Sequence, residues 1–110
     1  MAQFNRGAEV TTNGTSAVEL EAGPSSGRKA VENANGFNLD DADCTFVLQL
    51  DDNTVTRELG RTLVKAGQGA PLNGLPVVLT AATDSLEVKL LGAHTTTAPR
   101  ARATQIFEEP

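Results

Sequence analysis

The chain is broken too often to form helices. Val18, Leu20 and Ala22 alternate with Ala17, Glu19 and Glu21 before Gly23-Pro24-Ser25-Ser26-Gly27 ends the run. Cys44 to Leu50 places Phe46, Leu48 and Leu50 on one face and Thr45, Val47 and Gln49 on the other, and Asp51-Asp52-Asn53 closes it with residues that tolerate tight turns. Ser85 to Leu91 alternates with Leu86, Val88 and Leu90 inward and Glu87 and Lys89 outward. Strands at spacings of about 8 to 12 residues, separated by turn chemistry, are the sequence pattern of a sandwich or small barrel. The expected fold class is all-β, a small antiparallel β-sandwich or jelly-roll-like barrel.

The weaker segments fill in the same plan. Arg28 to Asn38 fits a short helix by Ala30, Val31 and Ala34. Asn33, Asn35 and Gly36 oppose that reading and favour an extended segment ending at Phe37-Asn38. Thr54 to Leu59 is expected to pair with the strand before it, and Arg61 to Val64 to form a separate short strand. Leu75 to Thr80 is apolar enough to be buried, with Pro76 restricting it to an edge or a strand start. Arg100 to Glu108 is the expected last strand, with Ala101, Ala103, Gln105 and Phe107 opposing Arg102, Thr104 and Ile106.

Residues 1 to about 15 are poor in large apolar groups and rich in Gly, Asn and Thr. They are expected to form an extended N-terminal arm ahead of a β-sandwich domain spanning residues 16–110. In an assembly such an arm straps a neighbour, so Gln3, Phe4, Asn5 and Arg6 are the candidate partner-binding residues. With 110 residues the chain holds one core, and with 4% aromatic residues that core must be built from Val, Leu and Ala. Thin cores of this kind gain stability by oligomerising.

The chemistry of catalysis is hard to assemble here. His94 is the sole histidine and lies in the strand-end loop Gly92-Ala93-His94-Thr95, where an exposed loop residue is expected. Cys44 is the sole cysteine, and its apolar strand makes it a small buried hydrophobe rather than a nucleophile. Zinc needs about four ligands, mostly Cys and His, and the chain has two such residues. Asp40, Asp41 and Asp43 with Asp51 and Asp52 are the one acidic constellation worth weighing for calcium. A strand between the two groups would hold them about 20 Å apart, so solvated turns are expected instead. Neither a catalytic group nor a cofactor or metal is expected.

The net charge of −5 disfavours phosphate backbones, and Arg100 with Arg102 makes no basic patch. No apolar run approaches membrane-spanning length, and Met1-Ala2-Gln3-Phe4-Asn5-Arg6 lacks a signal-peptide core. Synthesis in a cytosol, with no nucleic-acid or membrane partner, is the expectation.

The order of segments resembles the small β-sandwich accessory virion proteins of tailed bacteriophages. The resemblance rests on Glu19-Leu20-Glu21-Ala22 leading to Gly27-Arg28-Lys29, on Phe37-Asn38 through Asp43, and on Thr45-Phe46-Val47-Leu48-Gln49-Leu50. The Ala66-Gly67 loop and Leu79 to Lys89 continue it, with Thr83-Asp84-Ser85-Leu86-Glu87-Val88 the most characteristic part. The departure is at Arg28 to Gly36, where Ala, Glu and Asn replace β-branched residues. The resemblance implies a capsid decoration (cement) protein located in the virion. Its partners would be the major capsid protein or other virion proteins, and it would form a homo-oligomer, a trimer by preference. A neck, head-closure or tail-attached component shares the same strand grammar. A carbohydrate- or ligand-binding sandwich module is the alternative from another class.

Overall fold

A computed structural model describes residues 3–5, 7 and 9–109. Ten strands follow one another in the described residues without an intervening helix. They are β1 (Gln3–Asn5), β2 (Val10–Thr11), β3 (Val18–Ala22), β4 (Arg28–Phe37), β5 (Cys44–Asp51), β6 (Thr56–Val64), β7 (Gly69–Pro71), β8 (Val77–Leu79), β9 (Ser85–Leu90) and β10 (Arg100–Glu109). One sheet runs β1–β10–β4–β7, with β2 also on β10 and β8 also on β4; the other runs β3–β9–β5–β6. Every pairing between strands is antiparallel.

β1 and β2 lie on the same side of β10, and β7 and β8 on the same side of β4, so each pair is one interrupted strand. Counted that way, the first sheet has the order first–eighth–third–sixth and the second has second–seventh–fourth–fifth. This is the jelly-roll arrangement of two interlocked Greek keys. The expected small antiparallel β-sandwich is therefore present. Its two open flanks are β1–β2 with β3 on one side, and β6 with β7–β8 on the other.

The regular alternations fold as the sequence predicts. Phe46 pairs with Leu90, Leu48 with Val88 and Leu50 with Leu86, so the inward residues of β5 and β9 form successive rows across the second sheet. Val31, Leu79 and Ile106 pack against them from the first sheet. Each such buried side chain contributes roughly 1.5–3 kcal/mol relative to exposure. Small residues make room for the largest one: a Cβ at Gly36 would lie 2.9 Å from Phe46 Cε2 and 3.0 Å from Leu72 Cδ2.

Four expectations need correction. Residues 10–12 do contribute to the core, because Val10 packs against it and Thr12 is buried with its Oγ1 donating to Pro99 O at 2.6 Å. Thr56 to Val64 is one continuous strand, its register shifting opposite Leu48/Gln49 where Leu59 is extra. Leu75 is 79% exposed and Val78 44% exposed, because β7 and β8 are edge strands joined by a loop that lies outside the sheet; only Leu79 is sealed in. β10 does not alternate strictly either. Ala101, Ala103 and Ile106 are buried while Gln105 is exposed, since irregular pairing at Gln105 moves the strand to the opposite phase.

β4 makes the same step. Val31 and Ala34 are both buried, three residues apart, and they face Ile106 and Ala103, also three apart. The two slips therefore coincide and leave the ladder intact on both sides. The Asn33 Nδ2 donates to Gln105 Oε1 at 2.8 Å across the slip. Ala, Glu and Asn suffice for this strand because it is central and paired on both sides.

Candidate partner-binding surfaces

The titratable groups singled out from sequence are mostly engaged in holding loops. Asp40, expected in a solvated turn, is 3% exposed. Its carboxylate accepts from the backbone N–H of Thr95 (2.8 Å), Thr96 (2.8 Å) and Thr97 (3.0 Å), and from Thr95 Oγ1 (3.0 Å). These donors, the Thr95 N–H foremost, favour the ionised form and outweigh burial, so the Asp40 carboxyl sits well below the usual carboxylate range. Asn38 Nδ2 donates to Ala42 O and Val64 O, and its Oδ1 accepts from the Asp40 N–H. The loop after β4 is thus fixed to the loop before β10. Among the described residues no group of three or more His, Cys, Asp or Glu side chains is arranged to hold a metal ion.

Cys44 lies inside the second sheet and is buried. Burial, and next to it the negative charge of Asp40 3.8 Å away, push its thiol above the ordinary value, which disfavours the thiolate a nucleophile needs. His94 is half-buried rather than exposed, and its Nδ1 has no hydrogen-bond partner among the described residues. Among the described residues no carboxylate hydrogen-bonds to it.

A buried cation closes one end of the sandwich. Lys29 Nζ donates to Glu21 Oε2 at 2.7 Å and Ala22 O at 2.9 Å, and lies 3.4 Å from Glu108 Oε1. Burial works against its charge, and the carboxylates of Glu21 and Glu108 outweigh burial, so its pKa is raised. The cluster joins β3 to β4 and β10 and gives the ammonium no nucleophilic character. Sequence reading missed it because Glu21 falls on the outward side of a strict alternation. The irregular pairing of β3 between Glu19 and Glu21 turns it inward.

The described surface that is least satisfied is the β6/β7–β8 flank. Val55 (48%), Leu59 (45%), Leu63 (60%), Leu75 (79%) and Val78 (44%) are all exposed there, five of the seven large apolar residues with high exposure. The two sheets meet where β6 contacts β7. They leave a cleft of about 490 Å³ lined by Leu50, Leu59, Leu72, Leu75, Val77 and Val78. Apolar surface concentrated in this way marks an interaction site.

The N-terminal candidates lie on the opposite flank. Gln3, Phe4 and Asn5 pair with Glu108, Phe107 and Ile106 of β10, and Arg6 lies outside the described residues. Arg100 does not join Arg102 in a basic patch; its Nη1 donates to Glu9 Oε1 at 2.8 Å.

No family model matches the chain, and no curated protein matches it. Among solved structures it is similar to a protein of Bacillus endospore appendages, described as forming a family of disulfide-linked pili. That likeness has 12% identity and a TM-score of 0.52, over 96% of this chain and 86% of that one. It is also similar to a pentameric capsid protein isolated from metagenomic phage sequences, with 18% identity and a TM-score of 0.44, over 96% of this chain and 68% of that one. At such identities the first likeness concerns the fold alone and the second adds no weight. What the first likeness adds is that the overall fold of this chain is shared with a solved structure.

Proposed function

We propose that this chain is a non-enzymatic structural protein of a virion, a capsid decoration protein that binds the outer capsid lattice and stabilises it. The observation that carries the reading is the contrast between its chemistry and its surface. Asp40, Cys44 and Lys29 are engaged in holding the fold, whereas five large apolar side chains stand exposed along one flank. A rigid sandwich with such a flank is suited to contact other proteins, and a protein that binds only the assembled lattice stabilises it by mass action. The order of strands and turns that resembles phage accessory proteins points to a virion as that assembly. Gln3, Phe4, Asn5 and Arg6 belong to the proposed contact surface.

Quantitative gel analysis of purified particles tests the reading. Hundreds of copies per particle, with particles lacking the protein rupturing at lower temperature, are expected of a decoration protein. Around a dozen copies would place it instead at a neck or tail ring, and a thermal shift on adding glycans or divalent metals would favour a ligand-binding module.

A further inference from the structure

We infer that copies of this chain associate head to tail, with the β6/β7–β8 flank of one copy against the β1–β2/β3 flank of the next. The inference rests on the reading of the chain as a structural subunit and names one of its partners as a second copy of itself.

Three observations converge on this contact. The first is exposure: the β6/β7–β8 flank carries Val55, Leu59, Leu63, Leu75 and Val78 at 44–79% exposure, together with the apolar cleft between the sheets. The second is charge. Residues 56–80 hold Arg57, Arg61 and Lys65 against Glu58, with Asp52 of the preceding turn near Arg57, in a chain of net charge −5. On the other flank Glu19 is exposed and in no ion pair among the described residues, while Glu9 and Glu21 are already paired with Arg100 and Lys29. A two-fold contact of the cationic flank with itself would bring like charges together, whereas its contact with the other flank joins opposite ones.

The third is strand direction. Each sheet has four strand positions in antiparallel alternation, so its two outer strands run in opposite directions. A second copy in a similar orientation brings its β3 antiparallel to β6. The same placement brings its β1–β2 antiparallel to β7–β8, so the unpaired backbone groups of both sheets are met at once. A contact between two different surfaces closes into a ring or continues as a filament, according to the rotation between copies.

Light scattering after size exclusion tests the contact with three proteins. These are the wild type, the double variant Arg57→Glu/Lys65→Glu, and Glu19→Lys, each checked for an unchanged circular dichroism spectrum. The changed residues are exposed, and the Arg61–Glu58 ion pair is left in place. The wild type is expected as a multiple of the 11.5 kDa chain and each variant as the monomer. An equimolar mixture of the two variants is expected to recover assembly, because each keeps one native flank and their reversed flanks match each other.

A monomeric wild type at its highest soluble concentration overturns the inference. So does Glu19→Lys retaining the wild-type mass while the double variant loses it, since that pattern belongs to a flank pairing with its own kind. A monomer abundant on particles would remove the head-to-tail contact and leave the decoration reading. An oligomer absent from particles would do the reverse.

Discussion

Asp40 shows how a residue typical of a metal loop becomes structural. Its oxygens accept from three consecutive backbone N–H groups and a hydroxyl, and the donors all belong to the Thr95–Thr97 segment. Because its folded pKa lies below the ordinary unfolded value of about 3.9, its contribution is present above that pH and is lost as pH falls below it. Thermal melts from pH 7 to pH 2 should therefore show the midpoint falling through the acid range. Asp40→Asn should melt lower at pH 7 and fall less steeply with acid. An unchanged acid limb in the variant would remove Asp40 from this role. Asp52, held low by the Val55 and Thr54 N–H groups, adds a change of the same sign. Cys44 offers a second check at this scale. Its buried thiol should react with a thiol reagent only as fast as the native state opens, with labelling accelerating sharply in denaturant. Rapid labelling at neutral pH without denaturant would contradict its burial.

Among the elements, those with strict period-two patterns were legible, and those set by tertiary pairing were not. β5 and β9 follow from alternation alone, and the turn Asp51-Asp52-Asn53 contains the left-handed Asn53 (φ 71°) that its composition suggests. Thr12 and Val10 gave no such signal, because a two-residue strand is too short to show a period and depends on β10 for its pairing. Removing residues 2–14 should accordingly cost stability, on the order of 3 kcal/mol from the lost burial of Val10 and the lost Thr12 hydrogen bond with its strand pairing, measurable by urea unfolding. Equal stability would show that β10 does not need that cover. The Lys29 cluster was hidden for a different reason, since the turning of Glu21 depends on how β3 meets β9. Lys29→Ala should lose about 2–4 kcal/mol, as two carboxylates would remain facing each other without their cation. Gly23 was read as a loop breaker, and the structure adds why no side chain fits there. A Cβ would lie 2.0 Å from Ala81 O.

For the molecule as a whole, the sandwich was readable, with no helix among the described residues, while the flank that dominates its surface was not. Leu75 and Val78 read as core because composition reports hydrophobicity and not the side from which it is covered. That β7 and β8 form one interrupted edge became apparent only with β4 in place. The two central strands of the first sheet impose a constraint of another kind. β4 and β10 change phase at the same level, so their lengths are tied to one another residue for residue. Deleting Glu32 alone would leave the extra residue of β10 unmatched and put one half of the β4–β10 ladder out of register by one residue, and deleting Thr104 alone would do the same with the extra residue of β4. Deleting both should restore an uninterrupted ladder. Insertions and deletions at these two sites, far apart along the chain, are therefore tolerable only in pairs: in evolution a change of length in one strand can survive only when the other answers it.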